Sequence, residues 1–372
     1  MKFAIITHVG HINNDQKLYA YGPYVLEMNI WLNHVDSVLI VAPLSQEQPN
    51  PIHLPYDHSK IEMLPIASFD VKTIRSKITS IVKIPGIVLK IYKGMKEADH
   101  VHLRCPGNIG LLGCIVQIFF PNKPKTAKYA GNWDPKAKQP FSYKLQKWIL
   151  SNTFLTKNMQ VLVYGEWPNQ TRNIKPFFTA TYADKDKEAI IERNLQGRIT
   201  LLFVGTLSEG KRPLYAVKLV ERLLKKGYDV QLLLYGEGTE RETIENYITT
   251  HNLTSVVVLM GNKNKKDLQE AYRRGHFLIL PSQSEGWPKV VAEAMFWGCL
   301  PVSSKVSCVP NMLEDGARGL LLEMNLEMDV LMIENLINDS NQYTIKQNKA
   351  TDWSRNYTLD YFENEIEKLL KP

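Results

Sequence analysis

Short apolar runs alternate along the chain with longer segments whose apolar residues recur at helical spacing. In the first half, apolar runs predict strands over 2–8, 38–42, 99–104 and 161–167, the last of them closing this half. A long polar loop is predicted over 9–22, followed by a helix over 23–33. Apolar runs bounded by polar turns are typical of buried parallel strands. The first half is therefore predicted to be an α/β domain.

The alternation is more regular in the second half. Strands are predicted over 199–204, 230–235, 256–260, 277–280 and 300–304, with a helix between each pair. Strand–helix–strand units of this length require right-handed crossovers, which predicts a doubly wound parallel sheet. Such sheets bind ligands beyond the carboxyl ends of their strands. The candidate loops are 205–211, 236–238, 261–263 and 281–289.

The last of these loops opens a helix with unusual ends. Pro288 suits the first helical position and Gly298 the position just past the end, so Trp287 is predicted to be the N-cap. A tryptophan side chain cannot cap, so the first backbone amides, those of Lys289 and Val290, are left for a ligand. A helix start of this kind suits a phosphate group.

Two carboxylates bracket that helix start. Glu285 lies in the loop and Glu293 lies in the second turn of the helix. Acceptors of hydroxyl hydrogen bonds on either side of a phosphate site predict a site for a sugar nucleotide.

Length and composition narrow the function further. The 372 residues suffice for two domains, and the net charge of +7 favours an anionic partner: a nucleotide, a nucleic acid or an acidic membrane surface. No nucleic-acid-binding signature accompanies that charge. The four cysteines form no C-x-x-C pair and suit a reducing compartment. The longest apolar span, 110–120, is shorter than the ~20 residues that cross a bilayer. We therefore expect a cytoplasmic protein, with membrane contact only at its surface.

The stretch 70–97 interleaves lysines and arginine with isoleucines and valines. It predicts two basic amphipathic helices broken near Pro85 and Gly86. One interpretation is a sheet-covering helix with a solvated face. The other is a patch that contacts an anionic membrane, which suits a lipid-linked acceptor.

Polar residues follow several predicted strands of the first half. Gly10 and His11 lie in the loop 9–22, which is either an ordinary surface loop or part of a site. His100 and His102 alternate along one strand, with Arg104 at its end, as core residues or as site residues. Asn132 and Trp133 lie in another polar loop, and 168–198 is the predicted connection between domains.

Residues 199–323 resemble the donor domain of retaining GT-B glycosyltransferases of family 4, the glycosyl transferases of group 1. The family's Glu-x7-Glu signature is matched by Glu285 and Glu293. Four further linked motifs match at 203–211, 234–238, 293–302 and 314–319.

The resemblance implies a GT-B fold, with two doubly wound Rossmann-like domains that face a central cleft. Residues 1–175 would form the acceptor-binding domain and 199–350 the nucleotide-sugar donor domain. The final helix, within 351–372, would cross back to the first domain.

The resemblance also implies roles for individual residues. Glu293 would bind the ribose, Glu285 the sugar hydroxyls, the amides after Gly286 the diphosphate and Lys211 the leaving phosphate. The implied donor-binding set is Gly205, Thr206, Lys211, Gly236, Gly238, Glu285, Gly286, Trp287, Lys289, Val290 and Glu293.

The chain departs from the family pattern at two positions. Thr206 stands where the family has an arginine, for which Lys289 or Arg212 would compensate. Arg104 stands where the family has a histidine. The catalytic candidates are Glu285, Lys211, Arg104 and His102, and the acceptor-binding candidates are Gly10, His11, Asn132 and Trp133.

The implied function is transfer of a sugar from a nucleotide-sugar donor to a hydroxyl acceptor, with retained configuration and without metal or cofactor. A glycan or lipid-linked acceptor of cell-surface polysaccharide or lipopolysaccharide synthesis is expected, at the inner face of the cytoplasmic membrane. Two alternatives stay open: a nucleotide-sugar epimerase of the same fold, and a catalytically inactive homologue that binds nucleotide sugars.

Overall fold

The computed structural model describes residues 1–50, 52–68 and 74–371, and gives no side chains for 74–81. The chain forms two compact units. Unit 1 comprises residues 1–178 and 362–372, and unit 2 comprises residues 179–361.

Unit 1 is built on a parallel sheet whose strands lie in the order β6-β4-β1-β7-β8-β9-β10. Its strands are β1 (Lys2–Ile6), β2 (His11–Asn14), β3 (Lys17–Tyr21), β4 (Ser37–Ser45), β5 (His53–Pro55), β6 (Ile61–Ile66), β7 (His100–Cys105), β8 (Lys125–Tyr129), β9 (Met159–Tyr164) and β10 (Ile174–Phe177). Its first four helices are α1 (Gly22–Leu32), α2 (Ile74–Glu97), α3 (Asn108–Val116) and α4 (Phe141–Ser151). The chain reverses its direction of winding between β1 and β7, which makes this the switch point where open α/β sheets bind ligands.

Unit 2 is a second parallel sheet, with its strands in the order β13-β12-β11-β14-β15-β16. Its strands are β11 (Ile199–Val204), β12 (Val230–Tyr235), β13 (Val257–Gly261), β14 (Phe277–Leu280), β15 (Leu300–Ser304) and β16 (Leu320–Leu322). The helices that follow are α5 (Pro213–Lys225), α6 (Arg241–Thr250), α7 (Lys265–Arg274), α8 (Lys289–Phe296), α9 (Val309–Met312), α10 (Leu326–Ile337), α11 (Ser340–Ser354) and α12 (Leu359–Leu370), the last of which belongs to unit 1 from Phe362 onward. The predicted doubly wound sheet is confirmed, and its switch point lies between β11 and β14.

Apolar side chains fill both sheets, as the apolar runs predict. In β1, the four residues from Phe3 to Ile6 are fully buried, and all four residues of β14 are buried as well. Strands covered on both faces cannot alternate between polar and apolar residues. Their continuous apolar pattern therefore places each sheet at the centre of its unit.

The prediction of a polar loop over 9–22 is wrong. This segment forms the hairpin β2–β3, in which Asn13 pairs with Leu18, and the two residues of its turn, Asp15 and Gln16, have φ of 48° and 61°. The turn contains no glycine, and the strands carry polar residues because they are half exposed. For both reasons, the segment lacks the turn glycine and the apolar alternation by which a hairpin is predicted from sequence.

Two other boundaries differ from prediction. The strand predicted over 161–167 is not the last of unit 1, because β10 follows it within the predicted connection 168–198. β10 contains Pro176, which an edge strand tolerates because one side of it needs no amide donor.

The prediction of two separate helices over 70–97 is also wrong for the described part, since α2 runs without a break through Pro85. Residues 70–73 lie outside the described residues. Among the helices that are described, none has the length and apolar composition needed to cross a membrane.

Candidate functional site

The candidate site in unit 2 lies where β11 and β14 end. The loop after β11 and the loop after β14 are joined there by a hydrogen bond in which the Gln283 amide donates to the Gly210 carbonyl at 2.8 Å. Because these neighbouring strands connect to opposite sides of the sheet, their loops diverge and leave room for a ligand.

A buried ion pair spans these two loops. Lys211 Nζ donates to Glu285 Oε1 at 2.5 Å, and the Glu285 side chain is only 8% exposed. A carboxylate so far from water needs a cation or several hydrogen-bond donors. Lysine has three N–H donors, so Lys211 keeps donors for a further anion while it holds Glu285. Two of the predicted site residues are thus brought together.

Glycines let a third loop approach the same place. A Cβ on Gly236, which has φ of 139°, would lie 2.0 Å from the Gly205 carbonyl oxygen, and a Cβ on Gly238 would lie 2.3 Å from the Leu207 carbonyl oxygen. Only glycine fits such contacts. The loop after β12 therefore packs directly on the loop after β11, in which Thr206 is exposed.

The start of α8 differs by one residue from the prediction. Pro288, and not Trp287, is the N-cap, and the helix begins at Lys289 without a side-chain cap hydrogen bond. Trp287 instead lies against α11, with its ring 6.2 Å from the ring of Trp353. Aromatic packing thus fixes the residue before the helix. The amides of Lys289 and Val290 remain in the first turn, where helices leave N–H groups for a ligand.

Three residues that the sequence pattern did not single out donate hydrogen bonds to carbonyls of the loop between β14 and α8. Ser304 Oγ donates to the Ser282 carbonyl at 2.6 Å, while Ser307 Oγ and Cys308 Sγ donate to the Gly286 carbonyl at 3.1 and 3.2 Å. A glycine whose carbonyl is held keeps its neighbouring amides in a constant direction, which a preorganised anion site requires.

Glu293 accepts hydrogen bonds through both of its carboxylate oxygens. Thr181 Oγ1 donates to Oε1 at 2.7 Å and Tyr272 OH donates to Oε2 at 3.2 Å. Burial, and then the Glu293 carboxylate, raise the pKa of Tyr272 well above its usual range, so this hydroxyl stays a donor. These two partners orient Glu293, and each oxygen retains a second lone pair for a ligand hydroxyl.

A pocket of about 620 Å³ marks the switch point of unit 1. The residues that line it come mainly from the loop after β1, the end of β4 and the segment from the end of β7 into α3: His8, Gly10, Pro43, Leu44, Ser45, Ser68, Pro106, Gly107, Asn108, Ile109 and Tyr143. Of the predicted acceptor-binding residues, Gly10 lines this pocket. His8 was not predicted, although it lies two residues after the end of β1. Burial and the Arg104 guanidinium lower the pKa of His8 below its usual value.

His11 lies outside that lining. It is fully buried, with Nδ1 2.8 Å from the Val9 carbonyl oxygen and Nε2 2.8 Å from Tyr56 OH. Burial lowers its pKa to about 4, so the ring is neutral near pH 7. The structure therefore gives His11 a role in holding the hairpin rather than a place on the pocket wall.

His102 and Arg104 are both engaged inside unit 1. His102 is 1% exposed, its Nδ1 lies 2.9 Å from Thr126 Oγ1, and burial lowers its pKa to about 3. Arg104 Nη1 donates to Glu27 Oε1 at 2.7 Å, and the guanidinium lies 5.4 Å from the ring centroid of Tyr24. Burial lowers the pKa of the Arg104 guanidinium, but Glu27 together with Tyr164 and Tyr24 raises it above its usual value. Neither residue lines the pocket of unit 1.

Asn132 and Trp133 also serve the local fold. Trp133 is 1% exposed, and its Nε1 donates to Gln170 Oε1 at 2.9 Å. Asn132 Oδ1 accepts from the Asp134 amide at 2.8 Å, which closes a turn. Within the described parts of the chain, no three histidine, cysteine or acidic side chains are grouped as metal ligands would be.

Comparison with known protein families finds a match in the unit that carries the Lys211–Glu285 pair. Residues 184–356 match the family of glycosyl transferases group 1. The match covers most of unit 2 and none of residues 1–178.

Individual glycosyltransferases match only part of the chain. A glycosyltransferase of Haemophilus influenzae without an assigned activity is 31% identical over 194 residues, which are 51% of this chain and 52% of that protein. The D-inositol 3-phosphate glycosyltransferase of Corynebacterium kroppenstedtii is 23% identical over 242 residues, which are 59% of this chain and 54% of that protein. The matched stretch thus spans about half the length of either relative.

Solved glycosyltransferase structures match the whole chain in fold. Anabaena Alr3699/HepE in complex with UDP and glucose has a TM-score of 0.68 at 14% identity and covers 100% of this chain and 99% of its own. Sucrose-phosphate synthase from Thermosynechococcus elongatus has a TM-score of 0.65 at 17% identity, with 99% and 98% covered. The predicted α/β fold class of GT-B glycosyltransferases is confirmed.

Proposed function

We propose that this protein is a retaining glycosyltransferase of family 4, which transfers a sugar from a nucleotide-sugar donor to a hydroxyl acceptor. The observation that carries the proposal is the Lys211–Glu285 ion pair at the switch point of unit 2, beside the uncapped start of α8. It places a cation, a buried carboxylate and free helix amides within one set of loops. A diphosphate linked to a sugar needs these three kinds of group.

The pair has a direct use during transfer. When a donor diphosphate binds, Lys211 turns its remaining N–H donors to the phosphate, and sugar hydroxyls replace part of its contact with Glu285. Charge then develops on the departing diphosphate, where the lysine and the amides of Lys289 and Val290 stabilise it. The ion pair of the unliganded protein therefore keeps both groups in position until the donor arrives.

Glu293 is assigned to the nucleoside. Thr181 and Tyr272 leave one lone pair on each of its oxygens, and two adjacent ribose hydroxyls are suitable donors for them. Anabaena Alr3699/HepE was solved with UDP and glucose, which supports a nucleotide-sugar donor for a chain of the same fold.

Arg212 is the best candidate to supply the charge that Thr206 lacks. It directly follows Lys211, and its φ of 52° turns the chain sharply between the loop and α5. We assign it to the outer phosphate. Retention is assigned to front-face attack, with the leaving phosphate as base, so that the reaction proceeds without metal or cofactor.

Unit 1 is assigned to the acceptor, and its pocket beside His8 and Gly10 is the proposed entry point for the hydroxyl. Arg104 and His102 act there through the backbone that they hold in place. The acceptor is a glycan or a lipid-linked intermediate of cell-surface polysaccharide or lipopolysaccharide synthesis. Such an acceptor would bring the protein to the inner face of the cytoplasmic membrane.

The test is nucleotide release from a panel of nucleotide sugars, with a membrane extract as acceptor. Release that depends on the acceptor is expected, and Glu285→Gln should lower it by about a hundredfold or more, since a contact to the reacting sugar is lost. Glu270→Gln is the matched control, because Glu270 pairs with Arg274 on the exposed surface of α7. Release that is equal in Glu285→Gln and in the control would overturn the proposal.

The same assay separates the alternatives. Interconversion of the donor sugar without acceptor would identify an epimerase. Saturable nucleotide binding without any turnover would identify an inactive homologue. The configuration of the product, read by nuclear magnetic resonance, decides between retention and inversion.

A further inference from the structure

Helices α2, α3 and α4 form one layer on the sheet of unit 1. Their inward side chains, among them Ile91, Cys114 and Ile149, join Leu103 and Ala127 of the sheet in one buried cluster. The inward faces of these helices are thus covered by the sheet. Side chains on their outward faces do not belong to this core.

Aromatic side chains are concentrated on the outward side of this layer. Among the described residues, every exposed phenylalanine or tryptophan lies here: Phe119 (71% exposed), Phe141 (80%), Trp148 (60%) and Phe154 (75%). Single exposed apolar side chains are common on any protein. It is unusual that the exposed phenylalanine and tryptophan side chains all lie in one layer.

Helix α4 shows the arrangement most clearly. Phe141 and Trp148 are seven residues apart and share one face, with Lys144 between them on the same face. The opposite face buries Ile149 and Leu150. The helix therefore has an apolar face on the core and a second apolar stripe that faces solvent.

Two contacts bring the ends of neighbouring helices in this layer together. Gln117 Nε2 donates to the Leu155 carbonyl at 3.0 Å, which brings the end of α3, near Phe119, beside the turn that carries Phe154. The ring of Tyr92 on α2 lies 5.0 Å from the ring of Phe120. We call the outward side of this layer, which carries these exposed aromatic side chains, the aromatic–lysine face.

Positive charge predominates in this layer, because Glu97 at the end of α2 is paired with Lys2 and Lys93. Between residues 135 and 165 the chain contains no aspartate or glutamate, and its lysines are Lys136, Lys138, Lys144, Lys147 and Lys157. Lys157 Nζ lies 5.4 Å from the ring centroid of Phe154, so cation and aromatic ring are interleaved. On α2, the described lysines that are exposed are Lys83, Lys90, Lys93 and Lys96.

A cationic pocket opens at the edge of the face. It has a volume of about 880 Å³, and Phe154 and Lys157 belong to its wall. The other cations that line it are Lys125, Arg172, Lys175 and Lys371, the last of which pairs with Glu367; none of the described residues in its lining has an acidic side chain. Its charge and size suit the phosphate of a lipid headgroup.

We propose that the aromatic–lysine face binds an anionic lipid bilayer. Exposed aromatic rings enter the headgroup region, and lysines on the same face contact lipid phosphates while their stems lie along the apolar side chains. A second copy of the chain fits this face less well, because a two-fold contact would bring like charges together. The face therefore includes exposed lysines of α2, within the basic stretch noted in the sequence, together with the outward residues of α4.

Co-sedimentation with vesicles tests the proposal on the full chain. Binding is expected to vesicles of phosphatidylcholine with phosphatidylglycerol, to weaken as salt is raised, and to be absent with phosphatidylcholine alone. Combined Phe141→Ser, Trp148→Ser and Phe154→Ser should lower the partition coefficient by about tenfold or more, as should Lys144→Glu with Lys157→Glu.

Matched controls come from the surface of unit 2. Met328→Ser with Leu331→Ser removes exposed apolar side chains from α10, and Lys263→Glu with Lys266→Glu reverses two exposed charges. Both controls should bind vesicles like the unsubstituted protein. Unchanged urea midpoints for all variants show that the fold is intact.

Three results would overturn the proposal. These are no binding to anionic vesicles, equal loss in the controls, or a dimer in sedimentation velocity that the α4 substitutions dissociate without any vesicle binding. Binding to a single-stranded oligonucleotide but not to vesicles would count equally against it. None of these outcomes depends on sugar transfer, so the donor assay and the vesicle assay fail independently.

Discussion

The Arg104 guanidinium donates to the Glu27 carboxylate at 2.7 Å inside unit 1, where the two side chains are 14% and 5% exposed. The two residues are 77 positions apart, on β7 and α1. Removing either charge from a pair so far from water leaves the other one buried without an opposite charge beside it. This relationship makes the role of Arg104 testable by stability as well as by activity.

Glu27→Gln is expected to destabilise unit 1 by about 3 kcal/mol, because it leaves the Arg104 charge buried without its carboxylate. Urea denaturation followed by circular dichroism measures the change. Arg198→Gln breaks the Arg198–Asp229 pair, whose side chains are each 60% exposed, and should change stability by less than about 1 kcal/mol. If Arg104→Gln abolished activity without a change in stability, Arg104 would instead be a residue that contacts substrate.

Lys211→Ala is expected to weaken nucleotide-diphosphate binding by about tenfold to a hundredfold, since it removes a charge-assisted hydrogen bond and leaves Glu285 to repel the phosphate. Isothermal titration with nucleoside diphosphates measures the affinity. Lys305→Ala is the control, because Lys305 pairs with Glu323 on the exposed surface of the same unit. Equal affinities of the two variants would show that Lys211 serves only the fold.

Gly236→Ala is expected to destabilise unit 2 by about 2 kcal/mol or more and to reduce donor binding. The added Cβ would lie 2.0 Å from the Gly205 carbonyl oxygen, and the φ of 139° disfavours any side chain. Gly197→Ala is the matched control, because its Cβ would meet only Asn194 Nδ2, at 3.7 Å. Thermal melting of both variants checks this; a normal melting temperature for Gly236→Ala would contradict the contact.

Stability is expected to fall as the pH is lowered from about 6.5 toward 4, and more steeply in unit 1 than in unit 2. Burial lowers the pKa of His11 and His100 to about 4 and that of His102 to about 3. In unit 2, burial and Arg193 lower the pKa of His276 to about 4. In this range the unfolded chain binds protons that the folded chain does not, which favours unfolding.

Each such histidine contributes at most ~1.4 kcal/mol per pH unit. Urea denaturation between pH 7 and pH 4.5 measures the slope, and intrinsic probes in each unit separate the two. His102→Gln should flatten the slope of unit 1. His251→Gln, on an exposed histidine, should leave both slopes unchanged. If His102→Gln left the slope of unit 1 as steep as in the unsubstituted protein, His102 would have no part in the effect.

Local pattern was sufficient for much of unit 2. The strands predicted over 199–204, 230–235 and 277–280 have these bounds in the structure, because buried parallel strands show as apolar runs and glycines end the helices between them. The hairpin β2–β3 and strand β10 were missed for an equally local reason. Half-exposed and edge strands contain polar residues and proline, so they cannot be predicted from runs of apolar residues.

The sequence by itself determined the α/β fold class, the switch-point loops of unit 2 and the candidates Lys211, Glu285 and Glu293. Only the tertiary structure decided which partners these residues have. Thr181 lies 112 positions from Glu293, and Lys211 lies 74 positions from Glu285. Contacts at such separations depend on how parallel strands are ordered in the sheet, and this order has no local signature. For the same reason, the burial of His11, His102 and Trp133 and the exposure of Trp148 are decided by the tertiary structure.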